Sequence, residues 1–411
     1  MGRVILHCDM NNFYASVECM LRPELKDKAV AVCGRVEERH GIVLAKNYMA
    51  RDYGVATGDA VWQAKRKCPE LVVVEPHYEQ YLEFSHLARE IYCRYTDLVE
   101  PYGMDECWLD VSLPGRDIEV GRTIADAIRR TVKGELGLTI SVGVSFSKVF
   151  AKLGSDMKKP DAVTCISRDN FRDIVWHLPA PELLGVGRAA KRVLASCGIY
   201  TIGQLAAAPE NMLKKRLGVN GLALKRYANG EDASQVKATG WESPVKSIGH
   251  GMTTVRDLVC GIEVWRVMLH LVQKVASRLR AHGKLAAAVA ISIRNSRLAS
   301  CERQCRMFPT RSPMLIARAA YQLFERTYSW EEPIRSVTVR ALDLIEENAP
   351  LQLELFIDAE ELEKRERLDC AVEGIRRRFG RYAVINCALL EEGNVVQGGI
   401  AELVMPTGML R

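Results

Sequence analysis

Short apolar runs alternate with amphipathic stretches over roughly the first 170 residues, and this alternation constrains the fold more than any other feature. The first run, residues 4–8, ends at Asp9, which predicts a buried strand with a carboxylate at its end. Further strands are predicted at 29–33, 41–45 and 138–144, a strand or hairpin at 104–111, and helices at 60–67, 78–95, 118–132 and 148–157. Because strands and helices follow one another in this way, the sequence predicts an α/β or α+β core.

The remaining chain predicts further domains, since 411 residues are too many for one hydrophobic core. Residues up to about 229 are typical of helices punctuated by glycine, and 238–245 resembles a linker because it contains glycine and proline. Beyond it, strands are predicted at 248–255, 285–293 and 334–342, and helices at 263–281, 313–328 and 362–378. This second set indicates another α/β unit.

Charge is distributed unevenly along the chain. The formal net charge is only +6, but nine Lys/Arg and a single acid, Glu302, lie between Lys274 and Arg311. Eight acids and no base lie between Asp343 and Glu363. This segregation predicts a surface that faces a polyanion and a separate acidic segment. An uneven but merely solvated surface is the alternative.

The thirteen cysteines are scattered and form no CxxC pair, so neither a disulfide framework nor a zinc site is indicated. No apolar run approaches membrane-spanning length, and the apolar run near the start of the sequence is too short for the apolar region of a signal peptide. We therefore expect reduced thiols, a cytoplasmic location and no membrane partner.

Three acids stand at the ends of predicted strands: Asp9, Asp105 and Glu106. Gathered together they would repel, unless Mg²⁺ held them, because this ion prefers oxygen ligands and keeps substrate phosphates in its shell. Two such ions can support a phosphoryl transfer. Spacing alone leaves open that all three are ordinary solvated loop acids.

Three motifs, in order, resemble those of the Y-family translesion DNA polymerases, in their bacterial polymerase IV and UmuC-like branch. They are 7–18 (HCDMNNFYASVE), 102–111 (YGMDECWLDV) and 141–160 (SVGVSFSKVFAKLGSDMKKP). The resemblance implies a multi-domain α+β right-hand polymerase with a ferredoxin-like palm, small fingers, a helix-hairpin-helix thumb and an α/β little finger. The implied boundaries are palm 1–12 and 78–170, fingers 13–77, thumb 171–237, linker 238–245, little finger 246–345 and C-terminal tail 346–411.

The resemblance also implies the chemistry. Asp9, Asp105 and Glu106 would be catalytic ligands of two Mg²⁺ ions, with the Met10 carbonyl as a further ligand and Mn²⁺ as a possible substitute. The enzyme would add deoxynucleotides to a primer 3′-hydroxyl on a template, with low fidelity and past damaged bases. Asn11 stands where many relatives have a second Asp, a position that the family does not use as an essential ligand.

A nucleotide pocket follows from the same resemblance. The segment 47–55 (NYMARDYGV) resembles the finger segment over the incoming nucleotide, and Tyr48 and Arg51 would share a helix face. Lys159 matches a third triphosphate contact. Phe13 and Tyr14 would line the pocket, with Tyr14 as the steric gate that excludes a ribose 2′-hydroxyl. Taken singly, each would be a surface cation or a core aromatic residue.

The segment 183–191 (LLGVGRAAK) resembles a helix-hairpin-helix, whose backbone would bind a DNA phosphate whatever the sequence. The DNA-binding candidates are Gly185, Gly187, Arg188 and Lys191, with Arg294, Arg297, Arg303 and Arg306 in the little finger. The segment 352–356 (QLELF) resembles a peptide that binds the bacterial sliding clamp. Its candidate residues are Gln352, Leu353, Leu355 and Phe356, and a short amphipathic strand is the alternative.

The expected partners are primer-template DNA, deoxynucleoside triphosphates and the sliding clamp, and the protein is expected to be a monomer. Two other functions stay open at this point. One is another two-metal enzyme with a palm fold, such as a nucleotide cyclase. The other is a catalytically inactive relative that binds DNA or the clamp.

Overall fold

The computed structural model describes residues 2–36, 39, 41–115, 117–350, 359–380 and 382–389. The chain forms two compact units, the first comprising mainly Met1–Gly34 and Ile42–Ser243, the second Arg35–Gly41 and Pro244–Glu402. All thirteen cysteines are free thiols. Within the described ranges, no helix is both long and apolar enough to cross a membrane.

The first unit is built around a five-stranded sheet with the order β5-β6-β1-β7-β8. Its strands are β1 (Ile5–Met10), β5 (Val99–Pro101), β6 (Glu106–Asp110), β7 (Ile140–Ser145) and β8 (Val163–Ile166). The central strand β1 pairs antiparallel with both β6 and β7, and β7 pairs parallel with β8. The predicted strand at residues 4–8 is therefore confirmed, one position later at its start and two at its end.

Both faces of this sheet are covered, which explains why every residue of β1 is buried. Leu6, Cys8 and Met10 pack into a core shared with α4 (Tyr78–Cys93) and α5 (Ile118–Leu136). Ile5 points the other way and packs near Ala151 of α6 (Lys148–Met157). Because successive side chains alternate, His7 and Asp9 share the α6 face with Ile5.

A second, three-stranded sheet has the order β3-β2-β4. Its strands are β2 (Val30–Cys33), β3 (Val43–Lys46) and β4 (Val72–Val74), and the neighbouring helices are α1 (Phe13–Leu21), α2 (Tyr48–Asp52) and α3 (Val61–Lys67). Small buried side chains such as Ala31, Ala50 and Ala64 fill its core. Residues 171–228 form the expected helical region with a core of its own. Its helices are α7 (Phe171–Val175), α8 (Arg188–Ser196), α9 (Ile202–Ala207) and α10 (Glu210–Ala228, interrupted at Gly218).

The second unit is a four-stranded antiparallel sheet with the order β11-β10-β12-β9. Its elements are β9 (Ile248–Leu258), α11 (Gly261–Ala281), β10 (Lys284–Asn295), β11 (Ser300–Thr310), α12 (Pro313–Thr327), β12 (Ile334–Glu346) and α13 (Ala359–Phe379). Val289, Ile291 and Ile293 of β10 pack with α11 and α12 on one face. Strand β11 was not among the predicted elements, because its sequence SCERQCRMFPT is too polar to stand out as an apolar run.

Candidate active site

The register of β1 against β6 brings the predicted carboxylates together. Asp9 lies directly opposite Glu106, and Asp105 immediately precedes β6, where its carbonyl accepts a hydrogen bond from the Met10 N–H at 3.0 Å. Asp9 is 4% exposed. The turn before β6 closes through the Tyr102 N–H, which donates to the Glu106 carbonyl at 2.9 Å. Asp9, which is distant in sequence, thus shares one end of the sheet with the adjacent pair Asp105 and Glu106.

Two lysines lie among these acids. The Lys152 ammonium is 2.7 Å from Glu106 Oε1 and 3.4 Å from Asp9 Oδ2, and the Lys159 ammonium is 2.9 Å from Asp9 Oδ1. Asp156 contacts both, at 3.2 Å from Lys152 and 3.0 Å from Lys159. In this arrangement, no three acid, imidazole or thiol groups of the described residues are spaced to hold a metal ion. The ammonium groups instead supply the positive charge that the acids attract.

Burial and mutual repulsion make two of the carboxylates weak acids. Burial, followed by the charge of Asp9, raises the pKa of Asp105 to about 6. Burial also raises the pKa of Glu106 to about 7, with Asp9 and Asp105 adding to the effect and Lys152 opposing it. Burial alone would lower the pKa of Lys152, but the neighbouring carboxylates, Glu106 first, raise it above its ordinary value. The lysine is therefore a fixed positive charge at neutral pH.

A buried histidine lies beneath the carboxylates and was not predicted as a site residue. His7 is fully buried, and its Nδ1 shares a hydrogen bond of 2.9 Å with the hydroxyl of Ser155 on α6. Its Nε2 lies 3.8 Å from Glu106 Oε2 and has no hydrogen-bond partner among the described residues. Burial, aided by the charge of Lys152, holds the pKa of His7 well below its usual value. The ring is therefore neutral.

Helix α6 carries the first lysine because its start is fixed from two sides. The Ser147 hydroxyl accepts from the Phe150 N–H at 3.2 Å, a normal N-terminal cap. Buried Asp232 accepts from the Lys148 N–H at 3.0 Å and thereby satisfies another free donor of the first turn. One helical turn later, Lys152 faces the carboxylates, and Asp156 follows at the next turn on the same side.

Asn11 holds the segment that carries the second lysine. Its side chain is 1% exposed, donates to the Ser141 hydroxyl at 3.0 Å and accepts from the Asp161 N–H at 3.0 Å. Asp161 follows the cis peptide bond between Lys159 and Pro160. The asparagine thus ties the end of β1 to the backbone beside Lys159, a role that the motif comparison did not suggest.

Tyr48 lies in the same electrostatic neighbourhood as the carboxylate site. Burial raises the pKa of Tyr48, while the charges of Lys159 and Arg51 lower it and that of Asp9 raises it. Helix α2 begins where the Asn47 side chain accepts from the Ala50 N–H at 3.0 Å. Tyr48 is half-buried and Arg51 is exposed. The charges of Lys159, Arg51 and Asp9 thus all act on the Tyr48 hydroxyl.

The side chain of Tyr14 is enclosed by aromatic rings. Tyr14 stacks on Tyr81 with ring centroids 4.2 Å apart and an angle of 11° between the planes. Phe13 is buried beside it, at a centroid distance of 5.6 Å. The Tyr14 hydroxyl donates to the Met104 sulfur at 3.2 Å. Burial raises the pKa of Tyr14 to about 12, so the phenol is neutral.

Comparison with known proteins decides the family. A model of the impB/mucB/samB family matches residues 8–156, and a model of the C-terminal domain of the impB/mucB/samB family matches residues 245–355. The chain is 48% identical over 393 residues to DNA polymerase IV of Acetivibrio thermocellus, covering 95% of this chain and 98% of that protein. It is 37% identical to DNA polymerase IV 1 of Bacillus subtilis, covering 95% of this chain and 94% of the relative. The chain belongs to the impB/mucB/samB family.

This membership confirms the resemblance to Y-family polymerases, and the enzyme is a DNA-directed DNA polymerase. The fold agrees, since a solved Y-family DNA polymerase chimera matches with a TM-score of 0.73. The match has 23% sequence identity and covers 84% of this chain and 99% of the chimera. The predicted α+β right-hand architecture is therefore confirmed.

In the first unit of the polymerase, the candidate helix-hairpin-helix forms a turn before α8. Gly185 has a φ of +93°, which favours glycine. Gly187 has an ordinary φ of −77°, and a Cβ there would meet nothing within 4 Å among the described residues. Arg188 and Lys191 are exposed on α8.

The candidate arginines of the second unit do not share one face. Arg306 of β11 pairs with Ala288 of β10. Arg294 lies six residues after Ala288 on β10, so both arginines are on the face of the sheet that points away from the helices. Arg303 has the parity of Cys301 and Cys305, which pack toward the core. Arg297 lies in the turn and pairs with Glu332 at 2.6 Å. Arg340 of β12, which sequence reasoning missed, pairs with Ala290 and so joins Arg294 and Arg306.

The candidate clamp-binding residues Gln352, Leu353, Leu355 and Phe356 lie outside the described residues. Before them, β12 ends at Glu346 and the described chain runs to residue 350. After them, α13 begins at Ala359.

Proposed function

We propose that the chain is an active, template-directed polymerase that extends a primer 3′-hydroxyl with the help of divalent metal ions held by Asp9, Asp105 and Glu106. The observation that supports this proposal is the register that sets Asp9 opposite Glu106 on the face occupied by Lys152. The carboxylates and the Met10 carbonyl offer only oxygen ligands, which suits Mg²⁺, with Mn²⁺ as a substitute. The lysines among them indicate that cations are favoured there.

When bound, two such ions supply charge neutralisation at the attacking and leaving oxygens of a phosphoryl transfer. Lys152 and Lys159 would compete with the ions for the same carboxylate oxygens. Lys159 is on a flexible side chain 2.9 Å from Asp9, and we propose that it exchanges this contact for triphosphate oxygens. Tyr48 and Arg51 supply a hydroxyl and a guanidinium fork for the same phosphates.

Selection of the sugar is assigned to Tyr14, with Phe13 supporting the pocket. The Tyr14 ring is wedged between Tyr81 and Met104, so it cannot retreat without disturbing a packed aromatic cluster. A ribose 2′-hydroxyl that overlaps the ring would therefore be excluded. Tyr14→Ala would admit ribonucleotides while DNA synthesis continues.

The DNA is proposed to be held mainly through its phosphates. The backbone at Gly185 and Gly187, with Arg188 and Lys191, would bind one stretch. The space at the Gly187 Cβ position is open among the described residues, so a phosphate would have room to approach the backbone there. The open face of the second sheet, with Arg294, Arg306 and Arg340, would bind another. Arg297 and Arg303 stay predictions with less support from the fold.

The finer biological role follows from the family. We propose low-fidelity synthesis past damaged template bases by a monomer that the sliding clamp recruits through residues 352–356. The rivals are a cyclase-like enzyme, which would need no template, and an inactive relative, which would bind DNA without adding nucleotide.

Primer extension on a defined template tests the proposal. Asp105→Ala/Glu106→Ala is expected to lower the rate at least about 10³-fold, because it removes two of the three carboxylates proposed to hold the ions that would stabilise the charge on the reacting phosphate. Glu83→Ala/Glu90→Ala, which removes two exposed acids from α4, is the matched control and should extend primers at the wild-type rate. Extension without a template would favour the first rival. Binding of primer-template without extension in Mg²⁺ or Mn²⁺ would favour the second.

A further inference from the structure

A buried carboxylate lies directly behind the aromatic cluster of the nucleotide pocket. Glu18 is 1% exposed and sits one helical turn after Tyr14 on α1. It accepts hydrogen bonds from the Tyr81 hydroxyl at 2.5 Å and from His77 Nδ1 at 2.9 Å, and it forms an ion pair with Arg22. A buried charge costs free energy unless it is hydrogen-bonded, and these three partners offset that cost for Glu18.

The ionised state of Glu18 follows from those partners. Burial opposes ionisation, but the hydrogen bonds from Tyr81, Arg22 and His77 lower the pKa of Glu18 below its usual value. A charged acceptor makes the bond from the Tyr81 hydroxyl stronger than a bond between neutral groups. The Tyr81 ring is therefore fixed at its hydroxyl end by a group on the same helix as Tyr14.

The Tyr14 ring depends on Tyr81 for its position. Its own hydroxyl donates only to a thioether sulfur, Met104 Sδ, which is a weak acceptor. Its strongest directional contact is the stack on Tyr81 at 4.2 Å, while Tyr78 packs edge-on at 6.0 Å. Movement of the Tyr81 ring would thus move the Tyr14 ring with it.

We propose that Glu18 and Tyr81 are positioning residues that hold the Tyr14 ring against the sugar of the incoming nucleotide and so set the discrimination between deoxyribonucleotides and ribonucleotides. This inference rests on the proposed role of Tyr14 as steric gate. Exclusion of one hydroxyl by overlap depends on a displacement of about an ångström, which a packed ring resists and a loosened ring allows. The selectivity of the gate therefore depends on residues that do not contact the nucleotide.

Tyr81→Phe tests the inference, because it removes the hydroxyl and keeps the stacked ring. We expect the ratio of kcat/KM for a deoxynucleotide to that for its ribonucleotide to fall about tenfold, as loss of one hydrogen bond to a charged group would give. The fall should come from more efficient ribonucleotide use. Glu18→Gln keeps an acceptor but loses the charge, so the ratio should fall less, by about threefold. A purely structural role would instead lower kcat/KM for both nucleotides and leave the ratio unchanged.

The control is Tyr92→Phe on the same helix as Tyr81. Tyr92 is equally buried, and its hydroxyl has no hydrogen-bond partner among the described side chains and backbone. Its removal should leave the ratio unchanged. Thermal unfolding of each variant separates poor folding from altered selection, and Tyr81→Phe carries the test if Glu18→Gln folds poorly.

Tyr14→Ala separates this inference from the one on which it rests. If Tyr14→Ala leaves the ratio unchanged, the gate assignment itself is wrong, and this inference is lost with it. If Tyr14→Ala lowers the ratio but Tyr81→Phe does not, the gate stands and the positioning role is refuted. In support of the inference, Tyr14→Ala/Tyr81→Phe should show no further loss beyond Tyr14→Ala, because there is then no ring to position.

Discussion

At the scale of single residues, the site is a balance between carboxylates and ammonium groups. Asp105 and Glu106 have pKa values raised to about 6 and about 7, chiefly by burial. The two lysines offset part of this charge, as Lys152 does for Glu106 at 2.7 Å. A divalent ion needs ionised carboxylates, so its binding competes with protons and with these ammonium groups.

This competition predicts a pH dependence of metal binding. Binding of Mn²⁺ should release more protons from the protein at pH about 6 than at pH about 8. At the lower pH, Asp105 and Glu106 are partly protonated in the free protein and must lose these protons to bind the ion. Its apparent affinity should rise with pH over this window and level off above it. Calorimetry in two buffers of different ionisation enthalpy, with Mn²⁺ alone, measures the released protons. Equal release at both pH values would contradict the assignment of these carboxyls as ligands.

The stability of the protein without metal should change in the opposite direction. A carboxyl whose pKa is raised by folding favours the folded state most when protonated. Its contribution is therefore present at acidic pH and is lost as pH rises from about 4, the usual value, towards the raised pKa of about 6 for Asp105.

Single residues also show what the sequence could and could not reveal. Asp9, Tyr48 and Lys159 were predicted because each lies in a short motif with a known spacing. Glu18 was not, because its partner Tyr81 lies 63 residues away and only the packing of α1 against α4 brings them together. Lys152 lay in a motif that was identified, but its contact with Glu106 depends on how closely α6 approaches the sheet.

At the scale of elements, that close approach depends on one glycine. A Cβ at Gly143 of β7 would lie 1.9 Å from the Ala151 carbonyl oxygen and 2.5 Å from the Ser155 nitrogen, both in the backbone of α6. Backbone atoms cannot rotate away as a side chain can. Gly143 therefore sets the distance between the sheet and the helix that carries Lys152.

Gly143→Ala is expected to lower the free energy of unfolding by about 3 kcal/mol, the upper range for overpacking a core. Nucleotide addition should also fall, because displacement of α6 moves Lys152 relative to the carboxylates. Gly134→Ala on the exposed side of α5 is the control, since a Cβ there meets nothing within 4 Å in the described structure. It should raise stability by about 0.5–1 kcal/mol. Chemical denaturation measures the change in stability of each variant. Similar changes for the two substitutions would contradict the role of Gly143.

Elements with strong patterns were predicted well, and those with mixed patterns were not. The helix at 148–157 was predicted at its observed bounds, because Ser147 caps its start and Lys159-Pro160 follows its end. Strand β11 was missed, because its open face carries polar side chains and its inner face is only half-buried. For the same reason, sequence alone could not separate Arg303 from Arg306 by the face that each occupies.

At the scale of the whole molecule, the candidate clamp-binding segment connects two elements of the second unit. Helix α13 follows it and is held to that unit by ion pairs, with Arg280 2.5 Å from Glu373 and Arg311 2.6 Å from Glu366. In sequence, the segment therefore lies between two folded elements. Deleting it would shorten the connection between β12 and α13, so substitution is the cleaner test.

Gln352→Ala/Leu355→Ala/Phe356→Ala should leave distributive primer extension unchanged, because it removes none of the residues proposed to bind metal, nucleotide or DNA. Stimulation by the host's sliding clamp should be lost, and affinity for the clamp should fall at least about tenfold, since apolar side chains carry most of the binding energy of such peptides. Leu368→Ala, which removes a leucine that is 63% exposed on α13, is the control and should keep full stimulation. Extension rates with and without clamp, together with a direct binding measurement, distinguish the outcomes. If the triple variant is still stimulated, the clamp contact lies elsewhere in the chain, and the peptide is a structural connection.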